Sequence, residues 1–303
     1  MPLEPSHHRS WLNRLSPKAQ GVIAINAAAV IFGTAALYGK LNVSPVWIVA
    51  MRAGFGALTL ALIGAWKRDF SSFPRRHWQP LLLSGLLLAV HWVTFFVSVQ
   101  QAGVAVATLT FATFPLFTVL VEASHQRRFP SVVEIAVGLV IIVAVALLVD
   151  PQAGQRNLWG AVSGLVSGFS YALFWRSSKK LDDAALSATN LSFWQNAMVF
   201  ALLMPALFFS VPVPSTAVDW MSLVALGAFN TAIMLLIYLY ALQRLSPSTC
   251  SGFIALEPVY AIFFAALFFD EPITPWIAVS VILILGASFT LLKIEKDHAA
   301  HIA

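Results

Sequence analysis

The sequence predicts an all-α membrane protein: ten transmembrane helices in two inverted five-helix repeats, with both termini cytoplasmic. Three observations carry that expectation. Hydrophobic residues make up 59% of the 303 and charged residues only 10%, where a soluble domain carries roughly a quarter charged residues. The apolar residues form continuous runs of membrane-crossing length. The basic residues fall between those runs, almost all on one side.

The first run, 19–39, lies between Lys18 and Lys40. It is too long for a signal-peptide core and lacks a convincing cleavage site, so it reads as an uncleaved span. The second, 46–66, follows Pro45 and stops at Lys67, and the third, 78–99, starts behind His77. The fourth, 104–123, and the fifth, 132–149, are parted by His125-Gln126-Arg127-Arg128. The fifth is short enough to stand nearly upright. Runs at 158–176, 189–210, 219–242, 248–268 and 274–292 complete the set. Their length and continuity exclude alternating barrel strands.

Ten spans of about 20 residues consume roughly 200 of the chain, leaving about 100 for two tails and nine connections. No connection then holds a folded soluble domain, and no Walker-type Gly-Lys-Ser/Thr loop is present. A tethered enzyme or nucleotide-driven motor is excluded, and function must reside among the helices. The organisation expected is a cytoplasmic tail at 1–18, a first repeat at 19–150, a second at 151–292 and a cytoplasmic tail at 293–303.

With the N-terminus inside, the inner segments hold Arg9, Arg14, Lys18, Lys67, Arg68, Arg75, Arg76, Arg127, Arg128, Arg176, Lys179, Lys180, Arg244, Lys293 and Lys296, against Lys40 and Arg156 outside. That fifteen-to-two split sets the orientation. The net charge of +5 is therefore a topology signal, and no nucleic-acid partner is expected. The single cysteine, Cys250, offers neither a disulfide nor a thiolate cluster.

Sliding the chain on itself by about 143 residues superposes the first five runs on the last five. His77-Trp78 with Gly85 falls on Asp219-Trp220 with Gly227, Gln100 on Gln243 and Pro115 on Pro258. An odd number of helices per repeat turns the second copy over in the bilayer, which is the inverted-repeat architecture of secondary transporters. Alternating access follows from two like halves facing opposite ways.

With Phe114-Pro115-Leu116, Leu256-Glu257-Pro258-Val259 and Phe269-Asp270-Glu271-Pro272, the sequence resembles the drug/metabolite transporter superfamily with two EamA-type halves. The first half departs from the family pattern, carrying His125-Gln126-Arg127-Arg128 where an acidic residue is usual. Overall likeness, and His91 among aromatic residues, make the chain most similar to the bacterial aromatic amino acid exporters. The resemblance implies a central path lined by the first, third, fourth, sixth, eighth and ninth helices.

Polar side chains inside a bilayer must face a neighbour or a cavity. His91, Thr94 and Ser98 share one face of the third helix, with Phe95 adjoining. His91 either lines a path or is a neutral imidazole bonded to a neighbouring helix. Glu257 stands about nine residues into the ninth run, roughly 14 Å deep at 1.5 Å per residue. It would bind a substrate amino group or a proton, or else satisfy backbone groups freed by Pro258. Arg52, one and a half turns below the outer face, suits a substrate carboxylate but reads better as a snorkelling or ion-paired structural residue. Glu122 and Glu134, at the inner boundary, read as structural.

Pro115 and Pro258 are expected to kink the fourth and ninth helices at equivalent positions and so to act as hinges. Phe111, Tyr171, Asn230 and Tyr238 join His91, Phe95, Ser98 and Glu257 as expected substrate-binding residues. Aromatic rings beside hydroxyls suit a planar or apolar solute with a polar handle. Trp47, Trp66, Trp78, Trp159, Trp220 and Trp276 read as interfacial anchors. The absence of His-Glu-x-x-His and of a nucleophile–base pair argues against an enzyme, and no metal or cofactor is expected. The expected function is a monomeric secondary transporter of the inner membrane, exporting aromatic or neutral amino acids. A drug or other metabolite carrier is the alternative within the class. A channel or interaction protein without alternating access is the alternative outside it.

Overall fold

The computed structural model of the chain describes residues 15–69, 72–148, 154–181 and 186–302. Within them every regular element is helical: α1 (Pro17–Thr34), extended by a 3-10 turn over Ala35–Lys40, α2 (Pro45–Lys67), α3 (Trp78–Phe111), α4 (Phe114–His125), α5 (Val132–Leu148), α6 (Gly154–Lys179), α7 (Ala188–Leu207), α8 (Ala217–Gly227), a π turn over Ala228–Ile233, α9 (Met234–Leu242), α10 (Pro247–Ile254), α11 (Glu257–Phe269) and α12 (Pro275–Ile302). Much of the outer surface is Leu, Ile, Val and Phe. Six stretches are long and apolar enough to cross a bilayer: Pro17–Lys40, Pro45–Lys67, Arg75–Phe111, Gly154–Lys179, Ala217–Leu242 and Thr249–Phe269. This is a multi-pass membrane protein. Arg9, Arg14 and the junction expected at 150/151 lie outside the described residues.

Several helices begin on a Ser or Thr cap, often followed by proline. Ser16, Ser44 and Ser246 each accept a hydrogen bond from a backbone N–H three residues on, and Pro17, Pro45 and Pro247 follow them. The cap satisfies a donor that apolar surroundings would leave unpaired, and proline has no N–H to satisfy. Thr216 and Asp219 close a reciprocal capping box at α8.

Three expected continuous helices are interrupted. The third and fourth runs meet at Gly103, whose φ of 89° is left-handed and suits glycine. Pro115 and Pro258 were expected to kink uninterrupted helices; they instead occupy the first turn of new ones. The chain breaks at 112–113 and 255–256, and α4 and α11 start immediately afterwards. Proline cannot donate to the carbonyl four residues back, so Phe111 and Ile254 close the preceding helices. The eighth run is widened by the π turn at 228–233. Helix α12 also continues to Ile302, through residues expected as a tail.

The packing repeats itself. Counting helical rods in chain order, with the broken fourth (Val104–His125), the π-widened eighth (Ala217–Leu242) and the broken ninth (Pro247–Phe269) each taken as one, extensive contacts join third to sixth and eighth to first, fourth to sixth and ninth to first, and third to seventh and eighth to second. The second–seventh and fifth–tenth pairs complete the arrangement. Exchanging rod n for rod n+5 leaves this pattern unchanged. Close approach is made by small residues, as in membrane bundles where lipid removes the hydrophobic drive between helices. A Cβ on Gly227 would sit 2.6 Å from Phe55 Cβ and 2.7 Å from the Arg52 carbonyl.

Candidate functional site

The buried face of α3 presents His91, Phe95 and Ser98 to the interior. His91 Nδ1 lies 2.8 Å from Ser167 Oγ on α6, while that hydroxyl donates to the His91 carbonyl at 3.0 Å. With the hydroxyl proton committed to the carbonyl, the ring donates from Nδ1, and a neutral imidazole keeps Nε2 as an acceptor. Among the described residues Nε2 has no hydrogen-bond partner.

Around this imidazole stands a wall of rings. The His91 centroid lies 4.7 Å from Tyr171 and 4.9 Å from Phe111. Phe95 meets Phe111 edge-on at 5.9 Å, Phe111 stacks on Phe114 at 5.5 Å, and Tyr171 stacks on Phe174 at 5.6 Å. Offset and edge-on pairs of this kind hold rings in fixed orientations. The wall spans α3, α6 and the first break, because Phe111 and Phe114 flank residues 112–113. Ser98 lies two turns along α3 from His91, and its buried Oγ has no hydrogen-bond partner among the described residues.

A second polar group lies toward α2. Arg52 is 4% exposed; its Nε donates to Thr231 Oγ1 at 3.1 Å and its guanidinium lies 4.2 Å over the Trp92 ring. Thr231 in turn donates to the Leu226 carbonyl five residues back, a reach that the π turn provides. Asn230, in the same turn, donates through Nδ2 to the Ile31 carbonyl and to Thr34 Oγ1 on α1, at 2.7 and 2.8 Å. Glu257 opens α11, 7% exposed, with its carbonyl near Gly33 of α1. Among the described residues its carboxylate accepts no hydrogen bond and forms no ion pair. Arg52, Glu257 and Tyr171 lie within electrostatic reach of one another.

Of the eight expected binding residues, His91, Phe95, Phe111 and Tyr171 thus meet directly, and Glu257, at the second break, lies within electrostatic reach of Tyr171. Asn230 is committed to α1. Tyr238 packs against a cluster of Ile25, Ala241 and Cys250 and lies within electrostatic reach of Tyr171. A 3.6-residue period would place Asn230, Thr231 and Tyr238 on one face, and the π turn over Ala228–Ile233 breaks that period between them. Arg52 is buried where a snorkelling side chain would reach the surface, and among the described residues it forms no ion pair within 4 Å, contrary to its structural reading. Trp92 and Phe114 carried no polar signal in the sequence, although each is adjacent to a residue that did.

Ionic contacts tie the helix ends. Lys40 pairs with Glu271, which also accepts from the Val104 N–H at 3.0 and 3.1 Å. Elsewhere Arg176 pairs with Glu122 at 3.1 Å, and Arg128 grips Glu134 bidentately at 2.8 and 2.9 Å. Two apolar grooves, of about 390 and 370 Å³, lie along the first rod, one at its end lined by Tyr38, Lys40 and Phe268 and the other near its start lined by Ile23, Ile237 and Tyr240. Neither reaches the His91 wall. No cluster able to hold a metal ion occurs among the described residues.

The chain matches the EamA-like transporter family twice, over residues 19–150 and 158–293. A threonine/homoserine exporter, RhtA, of Escherichia coli (strain K12) is 26% identical, with 91% of this chain and 92% of that protein covered. An uncharacterized transporter, YxxF, of Bacillus subtilis (strain 168) is 23% identical over 83% of this chain and 82% of its own length. A chloroplastic phosphoenolpyruvate/phosphate translocator 3 of Oryza sativa subsp. japonica is 29% identical, covering 83% of this chain and 67% of that one. A solved crystal structure superposes on 91% of this chain and 99% of its own with a TM-score of 0.64 at 18% identity, which shows a shared fold.

Proposed function

Because the chain belongs to the EamA-like transporter family over both halves, we propose that it exports aromatic or neutral amino acids by alternating access. In this reading ten spans form two inverted repeats, and both termini lie in the cytoplasm. The protein acts as a monomer in the inner membrane. The observation that carries the substrate class is the wall of His91, Phe95, Phe111 and Tyr171, buried beside a helix break. Its rings offer stacking and edge contacts to a planar side chain, and the free His91 nitrogen offers one acceptor. The RhtA relative, a threonine/homoserine exporter, supports amino acids as the class and outward as the direction.

The two breaks supply the motion in this reading. Each frees a carbonyl inside the bundle, which membrane proteins tolerate where backbone meets protein or a cavity. A short segment such as 112–113 or 255–256 can absorb a change of dihedral angles while the flanking helices move as rods.

Counterflow in proteoliposomes tests the reading. Labelled phenylalanine should accumulate transiently when vesicles are preloaded with unlabelled phenylalanine, since only a carrier couples the two fluxes. Equilibration without overshoot indicates a channel and rejects alternating access. Overshoot with threonine but not phenylalanine rejects the aromatic preference. Labelling that places the two termini on opposite faces rejects the inverted repeat.

A further inference from the structure

Arg52 and Glu257 are a basic and an acidic side chain buried in one interior, and no ion pair within 4 Å joins them. The Arg52 guanidinium spends its Nε on Thr231 and one face on Trp92, leaving its two terminal nitrogens without hydrogen bonds among the described residues. The Glu257 carboxylate has no partner at all there, and the two residues share one neighbourhood: Asn230, beside the Thr231 that Arg52 binds, bonds Ile31 and Thr34 of α1, and the Glu257 carbonyl lies against Gly33 between them. A buried ion pair made for stability would close to contact and satisfy the remaining donors and acceptors. These two groups stay open, and Tyr171 of the aromatic wall lies within electrostatic reach of both.

We infer that Arg52 and Glu257 are the two poles of a subsite for an α-amino acid zwitterion, Arg52 taking the carboxylate and Glu257 the ammonium. The inference rests on the amino acid reading above and names the residues that enforce it. A zwitterion sets a negative and a positive group on neighbouring atoms against a base and an acid, and being neutral overall it adds no net charge to the bundle. The guanidinium's planar terminal nitrogens match a carboxylate in two parallel hydrogen bonds. The Thr231 contact and the Trp92 ring hold that plane in place. The aromatic wall receives the side chain, completing three distinct contacts at one stereocentre, which makes the site selective for one enantiomer.

An analogue with a single charge must leave one pole buried and uncompensated, and that is costly. Phenylalaninamide lacks the carboxylate and strands Arg52. 3-Phenylpropionate lacks the ammonium and strands Glu257. Both keep the ring, so the wall alone cannot distinguish them from phenylalanine.

The test is competition against labelled phenylalanine counterflow in the reconstituted full-length protein. Phenylalaninamide, 3-phenylpropionate and D-phenylalanine should each compete at least about tenfold more weakly than L-phenylalanine, the scale of one lost hydrogen bond to a charged group. Arg52→Gln should remove the discrimination against the amide while keeping that against the acid, and Glu257→Gln should do the reverse. Arg52→Lys, which keeps the charge, should retain part of the discrimination and controls for folding. If both analogues compete as well as phenylalanine in the wild type, the two-pole subsite is wrong and the carrier reading survives. Unchanged selectivity in the folded Gln variants overturns the assignment to these residues. Should phenylalanine fail to exchange while threonine does, the aromatic reading fails; threoninamide and 3-hydroxybutyrate then test the two poles in the same way. Exchange of neither amino acid overturns both.

Discussion

The two halves break the same helix at the same place and line the break with different chemistry. Ala112-Thr113-Phe114-Pro115 and Ala255-Leu256-Glu257-Pro258 are offset by 143 residues, and in each case a helix stops, two residues intervene and a new helix starts one residue before the proline. In the first half the position before proline is Phe114, stacked on Phe111; in the second it is Glu257, which has no hydrogen-bond or ion-pair partner among the described residues. Arg52 has a similar counterpart. At the same offset stands Gln195 on α7, whose amide donates to Ser178 and Ser84. Each charge of the proposed subsite therefore occurs in one half only, opposite a neutral equivalent. Duplication accounts for the backbone, and the side chains that differ mark where the halves have separate duties.

Making the halves alike again is the strongest way to break that contrast. Glu257→Phe should lower phenylalanine exchange by about a hundredfold or more, because a buried Arg52 then faces no opposite charge and the substrate ammonium no partner. The measurement is initial counterflow rate per monodisperse protein, and a rate within threefold of wild type would contradict it. On the aromatic side, Phe111→Ala should cost about tenfold, consistent with loss of one ring's contacts of roughly 0.5–1.5 kcal/mol beyond area. His91→Ala should behave similarly, and unchanged exchange in both would remove the wall from the site.

A smaller effect is expected at the helix ends. Lys40 links the end of the first rod to Glu271 beyond the ninth, and Arg176 links the end of the sixth to Glu122 near the end of the fourth. Under the exchange of halves both contacts join corresponding rods, first to ninth and sixth to fourth, although at the 143-residue offset Glu271 falls on Arg128 and not on Glu122. Lys40→Met and Arg176→Met should each shift exchange severalfold and shift the labelling of cysteines placed near the two ends in opposite senses; shifts in the same sense would show that the contacts are not counterparts. The smallest change belongs to Gly103, where φ is 89° and a Cβ would stand 3.2 Å from Glu271 Oε1. Gly103→Ala should destabilise by about 1 kcal/mol or more, read as a lowered unfolding temperature in detergent with substrate selectivity unaltered.

Long apolar runs made the helices legible, and their order with the 143-residue offset made the duplication legible. The breaks were only half legible. Proline at 115 and 258 signalled a disturbance, but a lone proline fits a kink as well as a stop, and the deciding contacts belong to neighbouring rods. The wall was readable as far as i, i+4 spacing reached on α3 and α6. The π turn was not readable, since nothing in Ala228–Ile233 announces an extra residue per turn. Arg52 was noticed and undervalued: one sequence cannot show that a buried arginine spends only one nitrogen on the protein.

The invariance of the packing under exchange of rods has an energetic corollary. If one access state is turned into the other by letting each half take up its partner's shape, the two states use the same backbone contacts in swapped roles and begin almost degenerate. Whatever preference remains is set by the few unmatched side chains, so a difference of about 1.4 kcal/mol at one of them moves the resting population tenfold. A chain built this way is biased toward one face of the bilayer by single residues rather than by its architecture.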